Sequence, residues 1–233
     1  MIKERISGNQ AVKKYEANAE KSVIWDFDGT IGDSFLAIRE TWKSVCTESK
    51  LPIPTDGQIK SLMGVPLGLI AEKLNANNII SNAELVKKYK IEFENYAKLI
   101  KPFKGIKEAL IELSRAEIPM FVVSARTSTS LNQILKNLGL KGYFWEIVGA
   151  EDVVKPKPNQ EAINTIARLF GLHYEGIYVV GDAEADLQMA NNAGVKSIIV
   201  TWGSLSEHKL KSLEIQPTHT IKDPKEIHKI ISN

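Results

Sequence analysis

The chain has 233 residues, enough for one large domain or for a core with a smaller partner, and its 43% hydrophobic and 25% charged residues are ordinary for a folded globular protein. Lys and Arg number 30 and Asp and Glu 28, so the net charge of +2 gives no support to a nucleic-acid or membrane-surface partner. Cys46 is the only cysteine, which excludes an intrachain disulfide and suits a reducing cytoplasm, and no apolar run reaches transmembrane length.

Residues 1–21 mix Lys, Glu, Asn and Gln without the apolar stretch of a signal peptide, and read as a short helix or a loose arm. The run Val23-Ile24-Trp25 then reads as a buried strand. It leads into Asp26-Phe27-Asp28-Gly29-Thr30, where two carboxylates stand at alternate positions and Gly29 and Gly32 break any regular element. Such a pair has a chemical use: one carboxylate attacks an electrophile, and the other donates and then accepts a proton. The same residues also suit a plain surface turn, so the rest of the chain must decide.

From Phe35 to Ile100 the apolar residues recur at helical spacing: Phe35, Ile38, Trp42 and Val45; Ile59, Leu62 and Met63; Leu67, Ile70 and Leu74; and Val86, Tyr89, Phe93 and Tyr96. Pro52, Pro54 and Gly64-Val65-Pro66 separate these stripes, and Ser81 with Glu84 forms a capping-box signature. The segment 35–100 is therefore expected to be an all-helical insertion of about four helices. From Lys104 onward helices alternate with strands, which are expected at 118–123, 145–148, 177–180 and 197–201. Helices are expected at 158–170 and 184–193, with two weaker ones at 207–213 and 224–231. Alternation of this kind implies right-handed βαβ units and a parallel sheet. The expected fold is an α/β, Rossmann-like core (1–34 and 101–233) of at least five parallel strands, with the strand at 23–25 at or near its centre.

In such a sheet the carboxyl ends of the strands form the ligand crevice. Asp26 and Asp28, Ser124, the stretch Val154-Lys155-Pro156-Lys157-Pro158, and Gly181-Asp182 with Asp186 all fall at that edge. Alone, each has an ordinary reading: Ser124 as a turn residue, either lysine as solvated, Asp182 as a helix cap. Together, Asp26, Asp182 and Asp186 would repel one another unless a cation sat among them. An all-oxygen donor set suits Mg²⁺, whereas His173, His208, His219 and His228 have no zinc-like spacing. A phosphate would complete the shell, with Ser124, backbone N–H groups and one lysine holding its other oxygens.

With these motifs in order, the chain resembles the haloacid dehalogenase superfamily, and Trp202-Gly203 with the small helical insertion is similar to its phosphoglycolate-phosphatase-like branch. The likeness covers nearly all of 21–231. It implies that Asp26 is the nucleophile forming an aspartyl-phosphate and that Asp28 is the general acid and base. Ser124 and Lys155 would bind phosphoryl oxygens, with Lys155 preferred over Lys157 on the Lys-Pro-x-Pro pattern. Gly29, Thr30, Ala125 and Arg126 would border the substrate. Mg²⁺ would be held by Asp26, the backbone carbonyl of Asp28, Asp182 and Asp186. Ala183 stands where many relatives carry Ser or Thr.

The implied activity is Mg²⁺-dependent hydrolysis of a small phosphomonoester, with 2-phosphoglycolate as first candidate because Gly181-Asp182 with Asp186, Trp202-Gly203 and the small helical insertion resemble that branch; a four-helix lid also leaves room for a small leaving group and little for a phosphoprotein or nucleic acid. Asp28 argues against a dehalogenase and against a phosphonate-cleaving enzyme. A sugar-phosphate mutase similar to β-phosphoglucomutase keeps both acids, and a non-catalytic binding module on the same fold is the reading from another class. The expected partner is a small molecule, with no nucleic acid or membrane, and the chain is expected to be a monomer or homodimer.

Overall fold

The computed structural model describes residues 20–232, so the expectation of a helix or arm over 1–21 falls outside the described residues except for the last two positions. Among the described residues six strands form one parallel sheet. In chain order they are β1 (Ser22–Trp25), β4 (Met120–Val123), β5 (Glu146–Val148), β6 (Ile177–Gly181), β7 (Lys196–Val200) and β8 (His219–Ile221), and in space they run β5-β4-β1-β6-β7-β8. The first strand is thus interior, in register with Met120 to Val122 on one side and Ile177 to Val180 on the other. β8 was not anticipated. It is three residues long and only Ile221 of it is buried, so it carries too short an apolar signal to stand out.

The inner strands β4, β1 and β6 are buried on both faces, and their side chains alternate between two cores, as a period of two requires. Val23 and Trp25 face one core with Val122, Val180 and Ile198; Ile24 faces the other with Phe121, Val123 and Val179. The first core is covered by α5 (Ile106–Arg115), α6 (Ser128–Asn137) and α10 (Glu226–Ser232), through Leu110, Leu131 and Ile231 among others. The second is covered by α7 (Glu161–Phe170) and α8 (Glu184–Ala193). There Phe121 and Phe170 pack with ring centroids 4.9 Å apart. Burying a side chain of this size contributes about 1.5–3 kcal/mol. The remaining helix, α9 (Glu207–Lys211), seats Leu210 beside Leu187 and Ile199.

The helical segment leaves and re-enters the core through a two-stranded antiparallel ribbon, β2 (Gly32–Asp33) with β3 (Lys101–Pro102), in which Gly32 opposes Pro102. Between them lie α1 (Phe35–Glu48), α2 (Asp56–Leu62), α3 (Leu67–Leu74) and α4 (Asn82–Tyr96). α1 and α4 pack together, with Trp42 and Tyr89 rings 4.5 Å apart. Two starts show their chemistry. Thr55 and Gln58 make a reciprocal capping box at α2, and the Ser81 hydroxyl accepts from the Glu84 N–H at α4. Cys46 is buried on α1, and burial pushes its thiol up to about 11, so it behaves as a small hydrophobe. No helix of the described residues is long and apolar enough to cross a membrane.

Candidate active site

Because β1, β4 and β6 are neighbours running the same way, the residues following each share one edge. Asp26 comes directly after β1, its N–H still donating to the Val180 carbonyl at 2.8 Å. Ser124 follows β4, and Asp182 follows β6. Asp186 lies in the first turn of α8 and caps it, accepting from the Ala183 N–H at 3.1 Å. Asp26, Asp182 and Asp186 each present an oxygen within 4.8 Å of the other two, and all three are buried.

Three carboxylates this close and this dry need compensation. Part of it is Lys157, whose Nζ donates to Asp26 Oδ1 and to Asp186 Oδ1, both at 2.7 Å. Burial alone would pull its ammonium down, but Asp186 and Asp26 carry it above the usual lysine range. Burial raises Asp26 well above the ordinary aspartate range; Lys157 pulls the other way, and Asp186 and Asp182 push further up. Asp182 is pushed up to about 6, by burial and then by Asp186, against the opposing donors on Ser204 and Thr30. With all three acids ionised, three negative charges against one ammonium leave two uncompensated, which matches one divalent cation. The hard oxygen set fits Mg²⁺.

The expectation for the lysine is corrected here. Lys155 is exposed, and its backbone N–H donates to Glu161, whereas the side chain that reaches the carboxylates belongs to Lys157. The stretch before α7 is held by Glu161, which accepts from the N–H groups of both Val154 and Lys155, and this turns the second lysine inward. Thr30 is also displaced from its expected place at the substrate. It is fully buried, and its hydroxyl donates to Asp182 Oδ1 at 3.1 Å, so it supports an acid from behind. Ser204, which sequence reasoning did not single out, completes that support: its N–H donates to Asp182 Oδ2 at 2.6 Å and its hydroxyl to the Asp182 carbonyl at 2.8 Å.

Glycine is required at two points around Asp182. Gly29 adopts φ +82°, and a Cβ there would lie 2.2 Å from Asp182 Oδ2. A Cβ on Gly203 would lie 2.3 Å from Asp182 Cβ. The backbone thus closes tightly on the carboxylate from both sides.

Asp28 occupies a separate corner. Its side chain lies outside the acid triad, and Arg126 grips it with Nε at 2.7 Å from Oδ2 and Nη2 at 2.8 Å from Oδ1. The Ser34 hydroxyl donates to Oδ1 as well. Ser34 precedes α1 and makes no side-chain cap bond to it. On its other side the Arg126 guanidinium lies 4.5 Å from the centroid of Phe93 in α4, so this one side chain joins the core edge to the inserted helices. The Ser124 hydroxyl accepts from the Arg126 N–H at 3.3 Å. Ala125 and Arg126 border a cavity between the core edge and the inserted helices.

The family model described as haloacid dehalogenase-like hydrolase matches residues 23–200. Among curated proteins the chain is similar to a phosphoglycolate phosphatase of Aquifex aeolicus, with 29% identity over 91% of this chain and 96% of that one. It is also similar to a phosphoglycolate phosphatase of Pectobacterium atrosepticum, with 26% identity over 81% and 83%. The pyrophosphatase PpaX of Oceanobacillus iheyensis is 24% identical over 91% and 97%. The fold matches a haloacid dehalogenase-like family hydrolase of Streptococcus pneumoniae with a TM-score of 0.78 at 23% identity, over 92% of this chain and 99% of that one. The chain belongs to the haloacid dehalogenase-like hydrolase family.

Proposed function

We propose that this chain is a Mg²⁺-dependent phosphatase that hydrolyses a phosphomonoester through an aspartyl-phosphate at Asp26. The observation that carries this reading is the contact of Lys157 with Asp26 at the end of the central strand. It leaves one carboxylate oxygen fixed and the other available to a phosphorus atom in the crevice. The phosphatase names of several relatives support the same reaction class.

Asp26 attacks phosphorus, and the bond from phosphorus to the leaving oxygen breaks. Asp28 enters the step carrying a proton, loosened from Arg126, and gives it to that oxygen; as a carboxylate it then takes one from a water that attacks the aspartyl-phosphate, phosphate leaves and Asp26 is restored. Lys157 orients Asp26, and the Ser124 hydroxyl donates to a phosphoryl oxygen. Asp26, Asp182, Asp186 and the main-chain carbonyl of Asp28 would hold Mg²⁺, with Thr30 and Ser204 fixing Asp182. When bound, Mg²⁺ supplies the positive charge that offsets the phosphoryl oxygens as they approach the carboxylates. The segment 35–100 serves as a cap over the crevice, with the β2–β3 ribbon as its hinge. The work is done by Asp26, Asp28, Ser124 and Lys157, a set in which Lys157 replaces Lys155.

The test is phosphate release from 4-nitrophenyl phosphate by the full chain, with Mg²⁺ and with excess chelator. Release that depends on the metal and is lost in Asp26→Asn is expected. Equal release in chelator would overturn the metal assignment, and release by Asp26→Asn would overturn the nucleophile. 2-Phosphoglycolate, the substrate in the names of several relatives, is the reference ester for the substrate panel.

A further inference from the structure

The cavity between the core edge and the inserted helices has a volume of about 670 Å³. At ~30 Å³ per water that is room for about twenty water molecules, and it falls within the ~300–1,000 Å³ range of pockets that enclose drug-sized ligands. A two-carbon acid would fill little of it. The chamber is therefore roomier than a two-carbon leaving group needs, while still too small for a phosphoprotein or nucleic acid.

The cavity also has a direction. Its lining includes Asp28 and Arg126 but not Asp26, Asp182 or Asp186. It therefore opens from the side of the proposed proton donor, where the leaving oxygen stands, and not from the side of the phosphoryl group. Its walls on the side of the inserted helices are apolar, with Trp42 of α1, Val65 and Leu67 around the start of α3, and Val86 and Phe93 of α4, while the core side carries Thr127, Thr129, Ser130 and Glu151. Exposed polar residues border it at Lys90, Glu94 and Gln133. Arg126, the cation at the deep end, is already engaged by Asp28 and stacked on Phe93. Among the described lining residues the other cation is Lys90, which is exposed. A short carboxylate on the leaving group would have to draw Arg126 away from Asp28, while an apolar body would meet the apolar walls of the inserted helices without disturbing that pair.

Resting on the phosphatase reading, we propose that the leaving group is an alcohol with an apolar body of ring size or larger, seated against Trp42, Val65 and Val86. An apolar group entering this chamber leaves water for hydrocarbon, which favours the longer ester by about fourfold per buried methylene.

The experiment measures kcat/KM for phosphate release by the full chain with Mg²⁺ on ethyl, butyl, hexyl and 2-phenylethyl phosphates and on 2-phosphoglycolate. The simple alkyl esters share a primary-alkoxide leaving group, so differences among them report the body and not the chemistry. A rise along the series is expected, with 2-phenylethyl phosphate at least tenfold above ethyl phosphate and above 2-phosphoglycolate. Filling the chamber by Val86→Trp, or separately by Val65→Trp, should cut the ratio of 2-phenylethyl to ethyl phosphate at least tenfold, ethyl phosphate turnover reporting that each variant folds. A flat series, or 2-phosphoglycolate above every apolar ester, would overturn this inference while leaving the phosphatase reading intact. An unchanged ratio in both folded variants would overturn the placement of the body. Failure of every ester, 4-nitrophenyl phosphate included, would overturn the phosphatase reading and this inference with it.

Discussion

Lys157 stands between two acids, its Nζ 2.7 Å from Asp26 Oδ1 and 2.7 Å from Asp186 Oδ1, with all three side chains nearly closed to solvent. Removing one partner of a buried ion pair strands the other charge, at a cost of about 3–5 kcal/mol. Lys157→Ala should therefore lower stability by that order in metal-free buffer, and Mg²⁺ should recover part of the loss. Lys155→Ala should stay within about 0.5 kcal/mol of the parent, as an exposed side chain would. Chemical unfolding of both variants, with and without Mg²⁺, checks the pair. A larger loss at Lys155 than at Lys157 would reverse the assignment.

The Arg126–Asp28 pair gives a second contrast. Asp28→Asn should reduce kcat/KM, which reports the steps up to departure of the alcohol, by ~10²–10⁴-fold on an alkyl phosphate. The loss should shrink on 4-nitrophenyl phosphate, whose leaving group needs less proton help. Steady-state kinetics on both esters is the measurement, and an equal loss on the two would mean that Asp28 acts on something other than the leaving oxygen.

The raised acids set the pH dependence of metal-free stability. Burial lifts Asp26, and it lifts Asp182 to about 6, so the folded chain holds protons that the unfolded chain has released above ~3.9. That stabilising contribution is present in full below the unfolded value and is lost as pH rises through about 6. On the proposed function Mg²⁺ binds the acids in their ionised form, so it should raise Tm more at pH about 7.5 than at pH about 5. Scanning calorimetry at the two pH values checks the sign. An equal rise at both would mean that the triad is not the metal site.

Gly203→Ala tests the tight backbone around Asp182. The added methyl would sit 2.3 Å from Asp182 Cβ and 2.4 Å from the Gly29 carbonyl, so backbone must shift. Overpacking of this kind costs about 1–3 kcal/mol, and here it should also weaken Mg²⁺ binding, because the Ser204 donors to Asp182 move with residue 203. Mg²⁺ titration followed by intrinsic fluorescence measures that, and unchanged affinity would show the carboxylate to be held independently of this loop.

Much of the architecture was legible because each piece carries a local signal. Apolar runs ending at Asp26, Ser124 and Asp182 mark strands buried on both faces, and Gly171 and Gly194 end α7 and α8 in the left-handed conformation that favours glycine. β8 escaped because three residues with one buried side chain resemble loop. At the site, the types of residue were readable but their aim was not. The Lys-Pro-x-Pro pattern points to Lys155, but a pattern does not say which lysine turns inward: Glu161 accepts from Val154 and Lys155, Lys155 stays exposed, and Lys157 reaches the carboxylates. Likewise Thr30 was expected at the substrate and Ser34 carried no signal of its bond to an acid, because their partners Asp182 and Asp28 are chosen by the folded geometry, in the case of Thr30 across 152 positions. The chamber was invisible for the same reason: its walls read as helix cores, and the gap between them belongs to tertiary packing.

The most direct test of the central claim is to trap the covalent intermediate. Asp28→Asn, given 4-nitrophenyl phosphate and Mg²⁺, should form the acyl-phosphate and release it slowly. Acid quench on the millisecond-to-second scale, borohydride reduction and peptide mass spectrometry should then place the modification at Asp26, and no modification should appear when Asp26→Asn is added to the same chain. Modification at another residue, or steady phosphate release with no residue modified at any quench time, would contradict an aspartyl-phosphate at Asp26.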